Sequence, residues 1–170
     1  KKNRHRRGKP RPGAQQGRLR RNVGIVVMNA EGKVLAGLRS HANGDKAWQL
    51  PQGGIEGRER PLTAAYRELR EETGLTFDDV QLVRELPQWT TYVLPKEWTQ
   101  GRRFVGQRQK WFLFSFKGTG LPDVGKAKDF EFEALDWVSP DWLAAHVIEF
   151  RRPIYAAVFK GFAGELKLKD

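Results

Sequence analysis

Gly53-Gly54-Ile55-Glu56-Gly57-Arg58-Glu59-Arg60-Pro61-Leu62-Thr63-Ala64-Ala65-Tyr66-Arg67-Glu68-Leu69-Arg70-Glu71-Glu72-Thr73-Gly74-Leu75 decides how the rest of the chain is read. Its second half carries helix signals: Pro61 in the first turn, an apolar stripe, and Gly74 as a C-terminal stop. At about 100° per residue, Leu62, Ala65, Tyr66 and Leu69 share the side that packs on a core. Glu68, Glu71 and Glu72 share another side, and that side is electrostatically unfavourable for a purely structural helix. Glu68 and Glu72 repel as like charges at i,i+4, and all three acids sit in the last turns, where the helix dipole favours cations. A divalent cation reverses the sign: carboxylates at i, i+3 and i+4 converge on one point, and hard oxygen donors suit Mg²⁺ or Mn²⁺.

The wider spacing is more specific. Gly53, Glu59 six residues on, then Arg67, Glu68, Leu69, Glu71, Glu72, Gly74 and Leu75 occupy every defined position of the Nudix box, so the chain resembles the Nudix hydrolases. A chance match is on the order of one in ten million, which lets the motif carry the resemblance unaided. The resemblance implies an α/β (α+β) fold, a mixed β-sheet sandwiched between α-helices, and a Mg²⁺-dependent cut of a pyrophosphate bond, with Mn²⁺ as a possible substitute. It makes Glu68, Glu71 and Glu72 metal ligands together with a backbone carbonyl near Gly53. One of the carboxylates doubles as a base for water. Glu59 and Arg67 become the pair tying loop to helix, a bidentate task that suits a guanidinium.

The net charge of +11 is unevenly placed. Residues 1–21 hold ten Lys or Arg (Lys1, Lys2, Arg4, Arg6, Arg7, Lys9, Arg11, Arg18, Arg20, Arg21) and no acid, leaving 21 basic against 20 acidic residues elsewhere. The chain divides into a basic arm, 1–19, expected to be disordered for lack of apolar residues, and a Nudix domain, 20–170. The arm reads either as an RNA contact acting by counterion release or as a spacer. With no Cys, there is no disulfide, thiol nucleophile or zinc-thiolate site. No apolar run reaches the roughly 20 residues of a membrane span. A cytoplasmic protein is expected, with an organelle left open because the chain begins at Lys1 rather than Met. No residue pattern signals an oligomer.

Along the domain, Asn22 to Asn29 reads as a buried strand, and Ala30 to Lys33 turns into a second strand, Val34 to Leu38, most simply as a hairpin. Ser40 to Lys46 reads as a polar loop with His41 solvated. Val80 to Trp89 reads as a strand, Lys96 to Lys110 as a basic loop, and Trp111 to Phe116 as a central strand buried on both faces. Ser139-Pro140 opens a helix, and Ile154 to Gly161 forms the last one.

Asn22 to Val26, Trp48 to Ile55 and Gly106 to Phe112 are similar to the branch holding bacterial RNA pyrophosphohydrolases and plant-type diadenosine tetraphosphate hydrolases. The likeness runs from about Arg20 to Phe162. The chain departs from the branch in a longer Ser40 to Lys46 loop, a shorter Pro95 to Val105 loop, and Arg21 where proline is common. The branch implies that Glu131 is a distal acid near the metals, favoured over Glu133 as a base or extra ligand. It also implies that Arg20, Arg39, Tyr92, Gln109, Lys110 and Phe150 bind substrate, Phe150 by stacking on a base unless it only fills core. The expected activity is removal of pyrophosphate or phosphate from a 5′-triphosphate or diphosphate RNA end. Cleavage of diadenosine tetra- or pentaphosphate to ATP is the alternative, and a non-catalytic RNA-binding scaffold the more distant one.

Overall fold

The computed structural model describes residues 18–41 and 44–168. Chain order runs β1 (Arg18–Met28), β2 (Val34–Ser40), β3 (Lys46–Gln49), β4 (Gln52–Gly54), α1 (Pro61–Thr73), β5 (Val80–Glu85), β6 (Thr90–Val93), α2 (Lys96–Thr99), β7 (Phe104–Phe116), β8 (Phe132–Val138), α3 (Pro140–His146), α4 (Arg152–Gly161) and α5 (Ala163–Leu166). Residues 1–17 of the expected arm lie outside the described residues. Arg18 and Leu19, which composition assigns to the arm, belong instead to β1, beside Phe104 and Gly106 of β7.

The strands form one mixed sheet in the order β3-β2-β1-β7-β5, with β4 on β1, β6 on β7 and β8 on β2. Its spine is the parallel pairing of β1 with β7, in register from Arg18 with Phe104 to Met28 with Ser115. The expected hairpin survives only at its root, where Met28 faces Val34. Beyond that point β2 pairs with β8 and β3. β5 stops at Glu85, short of the expected Trp89, because Pro87 has no N–H to give a ladder. Within the expected basic loop, residues Lys96–Thr99 form the short helix α2.

Strand alternation sends two apolar sets to opposite faces. Val23, Ile25, Val27, Phe112 and Phe114 meet Ala64, Ala65 and Leu69 of α1. Val26, Trp111 and Leu113 meet Leu143 of α3 and Tyr155, Val158 and Phe159 of α4. The result is a three-layer α/β/α arrangement, with β7 buried on both faces as its unbroken apolar run requires. α1 starts with Pro61 and ends where Gly74, at φ 78°, donates its N–H to the Arg70 carbonyl at 2.9 Å. These caps and the Leu69 contact fix α1 in rotation, and that rotation aims its acidic side at β4.

Candidate active site

β4 runs directly beneath Glu68. A Cβ built on Gly53 would lie 1.9 Å from the Glu68 Cδ, so only glycine allows this approach. Glu72 is 1 % exposed, and its Oε2 accepts the Gln52 N–H at 3.0 Å. Glu131, from the loop before β8, brings its carboxyl within hydrogen-bonding reach of Glu72. Burial first, and then the Glu131 bond and the nearby acids, lift the Glu72 carboxyl well above its ordinary range against the pull of the Gln52 amide. Burial likewise pushes Glu68 up to about 7, opposed by the Arg67 bond and charge and reinforced by Glu71 and Glu131. Folding has therefore surrounded Glu68 and Glu72 with acids that disfavour their ionisation.

Arg67 distributes one guanidinium over this cluster. Nε and Nη2 donate to the two Glu59 oxygens at 2.9 Å each, and Nη2 also reaches the Gly54 carbonyl at 2.8 Å. Nη1 donates to Glu68 at 2.8 Å and to Glu71 at 3.2 Å. The bond from Arg67 holds Glu59 below the usual carboxylate range, and Glu59 in turn raises Arg67. Loop, strand and helix thus share one fork, the geometry a guanidinium supplies and an ammonium does not.

Among the described residues no three His, Cys, Asp or Glu side chains already converge tightly enough to grip an ion. Arg67 Nη1 holds Glu68 and Glu71 as they stand. The donor chemistry nevertheless fits a hard divalent cation: the buried Glu72 and half-buried Glu68 and Glu71 of α1 and the exposed Glu131 before β8, with glycine backbone pressed against Glu68.

Beside the acids lies a cleft of about 260 Å³ whose walls include Arg20, Arg39, Gly53, Trp98, Glu131 and Arg151. Arg39 Nη1 stands 3.8 Å from Glu131 Oε2. Glu133 turns away, pairing with Lys46 Nζ at 2.8 Å and accepting from Ser40. The structure therefore separates the two acids that alternation alone leaves confusable. Phe150 packs its ring 5.7 Å from Tyr92 and 5.3 Å from Trp98. Tyr92 is almost buried and donates its hydroxyl to Gln107 at 2.9 Å.

Two expected substrate residues stand apart from this group. Gln109 is 1 % exposed, and its amide is consumed by Asn22 and Gln52 at 2.8 Å each, so it braces the cleft floor from below. Lys110, one residue on, alternates to the other face and gives its Nζ to the Leu86 carbonyl at 2.6 Å. His41, expected to be solvated, lines the cleft next to Trp98, and its Nε2 has no hydrogen-bond partner among the described residues. Burial and the charges of Arg151 and Arg39 lower its pKa.

Sequence reasoning passed over Gln52, Asn22 and Arg151. Arg151 is buried and donates to Gln49 at 2.7 Å. Its signal was faint, because an Arg beside Arg152 and Pro153 looks like any exposed helix start. Asn22 and Gln52 carried a better one, as amides set at the ends of apolar strands.

Residues 18–158 match the family model of the NUDIX domain. The chain is similar to an RNA pyrophosphohydrolase of Cereibacter sphaeroides, 42% identical over 150 residues that cover 85% of this chain and 90% of that protein. It is also similar to Nudix hydrolase 26, chloroplastic, of Arabidopsis thaliana, 38% identical over 158 residues, 87% of this chain and 71% of the relative. Among solved structures, the C. elegans Ap4A hydrolase superposes with a TM-score of 0.62 at 14% identity, covering 88% of this chain and 99% of that one. No helix among the described residues is long and apolar enough to cross a membrane. With the box, the three-layer fold and the matched span in agreement, the chain belongs to the Nudix hydrolase family.

Proposed function

We propose that the protein is an RNA 5′-pyrophosphohydrolase that works with Mg²⁺, for which Mn²⁺ can substitute. It converts a 5′-triphosphate or diphosphate RNA end to a monophosphate, releasing pyrophosphate or phosphate. The observation that carries this reading is a juxtaposition: Glu131, neighbour to the Glu68 and Glu72 acids, lines one cleft together with Arg20, Arg39 and Arg151. A terminal polyphosphate needs both, cation ligands along its reacting oxygens and fixed positive charge along the rest.

Glu68, Glu71, Glu72, Glu131 and the carbonyl of Gly53 are the groups that would hold the cation. When bound, it neutralises phosphate charge and makes a water easier to deprotonate. The chain's own residues supply the remainder. Arg20 and Arg39 meet non-reacting phosphate oxygens, and the Glu59–Arg67 fork keeps Glu68 and Glu71 in place. A carboxylate, Glu71 or Glu131, accepts the proton of the attacking water. Phe150, set by Tyr92 and Trp98, offers a ring to the first base. Direct attack by water leaves no covalent enzyme intermediate, consistent with a chain that has no Cys.

Incubation with Mg²⁺ and either 5′-triphosphate RNA or diadenosine tetraphosphate tests the reading. Monophosphorylated RNA is expected. Cleavage of the dinucleotide at enzyme levels that leave the RNA end intact overturns the RNA assignment in favour of a diadenosine polyphosphate hydrolase.

A further inference from the structure

Six arginines, Arg18, Arg20, Arg21, Arg102, Arg103 and Arg108, crowd the start of the β1–β7 pair, and all are exposed. Among the described residues none of them makes an ion pair or a side-chain hydrogen bond to a carboxylate. Three of them lie against aromatic rings instead. The guanidinium carbons of Arg21 and Arg108 lie 5.6 and 4.6 Å from the Trp89 centroid, and that of Arg103 lies 5.5 Å from the centroid of Phe104. Strand register explains the clustering, since Arg21 is the direct partner of Arg108 and Arg20 of Gln107. Arg20 and Gln107 face the cleft, while Arg21 and Arg108 alternate to the other face, so the patch wraps around the end of the strand pair.

An ordinary solvated face mixes signs, and a like-charged cluster without counter-charges works against the folded state. This one also leads away from the cleft, because Arg20 and Arg102 belong to its wall. At Arg18 it joins residues 1–17, which hold seven more Lys or Arg (Lys1, Lys2, Arg4, Arg6, Arg7, Lys9, Arg11) and no acid. Arginines seated on aromatic rings, in line with a cleft that takes a polyphosphate end, are the groups that grip single-stranded nucleic acid: charge for phosphates, planar faces for unpaired bases.

We propose that this end of the β1–β7 pair is a track for the RNA downstream of its 5′ end, with phosphates on Arg21, Arg103 and Arg108 and an unpaired base against the Trp89 platform. The proposal rests on the RNA reading given above. It makes the length of the RNA, and not only its terminal phosphates, part of what the enzyme recognises.

The test compares the full chain with its Arg21→Ala/Arg103→Ala/Arg108→Ala variant. Both hydrolyse a 5′-triphosphate 20-nucleotide RNA and a 5′-triphosphate dinucleotide over a KCl series with Mg²⁺ present. Three lost phosphate contacts, at about 0.7 each for single strands, flatten the plot of log kcat/KM against log salt by about 2 for the 20-mer. The 20-mer should lose about tenfold or more in kcat/KM near 0.1 M salt, while the dinucleotide is unchanged. Binding of a 5′-hydroxyl 20-mer, followed by fluorescence anisotropy, should weaken in parallel. Equal rates and equal salt slopes for variant and parent on the 20-mer overturn the track, as does an equal loss on both substrates. If the parent protein hydrolyses neither RNA but cleaves diadenosine tetraphosphate, the RNA reading itself has failed, and the anisotropy arm still reports whether the patch binds RNA.

Discussion

Gly53 and Arg67 set the site at the level of single residues. Any side chain at position 53 must displace Glu68 or push β4 away, an overpacking that costs about 1–3 kcal/mol in a packed environment. Gly53→Ala should therefore lower the melting temperature and reduce turnover more than tenfold, with circular dichroism and initial rates as the checks. Arg67→Lys keeps the charge but loses the fork to Glu59, Gly54, Glu68 and Glu71. Loss of such orienting partners typically costs 10–100-fold in activity or metal affinity. An Arg67→Lys enzyme with parental kcat/KM would show that the fork is incidental. Much of this was legible from residue types at fixed spacing, since Glu59 and Arg67 stand where the box places them. The amide floor of Asn22, Gln52 and Gln109 was not, because a buried Gln in a strand is indistinguishable in sequence from one facing a ligand.

At the scale of elements, α1 carries acids whose ionisation the fold opposes, and pH exposes that opposition. Glu68 rises from 4.5 to about 7 and Glu72 is likewise raised well above its ordinary value, both chiefly through burial. Between pH 4.5 and 7 the cation-free folded protein holds more protons at these groups than the unfolded chain does. Its stability therefore falls as pH rises through that window. Glu59 and Glu165 shift the opposite way, and their stabilisation is lost only as pH falls through the acid range below 4.5. Thermal melts in EDTA should give a lower melting temperature at pH 8 than at pH 6, and added Mg²⁺ should restore most of the difference. A melting temperature that climbs with pH and ignores Mg²⁺ would contradict this account of α1. On the opposite face, the Tyr155 hydroxyl accepts the Leu50 N–H at 2.8 Å within a buried setting, pinning α4 to the turn that feeds β4. Tyr155→Phe strands that N–H at about 1–3 kcal/mol, or a few degrees of melting temperature at about 2–4 °C per kcal/mol. KM should barely move, which separates support of the site from contact with substrate.

Across the whole molecule, what the sequence showed was what short-range chemistry decides. Pro61 and Gly74 bound α1, and the unbroken bulk from Trp111 to Phe116 marks the central strand. Long-range pairing was beyond it. The parallel match of β1 with β7 joins segments about 85 positions apart, and β2 leaves its neighbour for β8 after one pair. That topology also decided which candidates reach the cleft: Arg39 on β2 and Glu131 before β8 come together through the β2–β8 pairing, while Lys110 turns to the far face of β7. All of these elements converge on one claim, that the Glu68, Glu71 and Glu72 ridge exists to gather a divalent cation around a phosphoanhydride. Single-turnover hydrolysis of 5′-triphosphate RNA, titrated with Mg²⁺ for the parent and for Glu71→Gln and Glu72→Gln, tests it most directly. Saturable dependence on Mg²⁺, with a rate loss of about a hundredfold or more in both variants, is the expected result. Undiminished turnover in either variant, or full activity in EDTA, would contradict it.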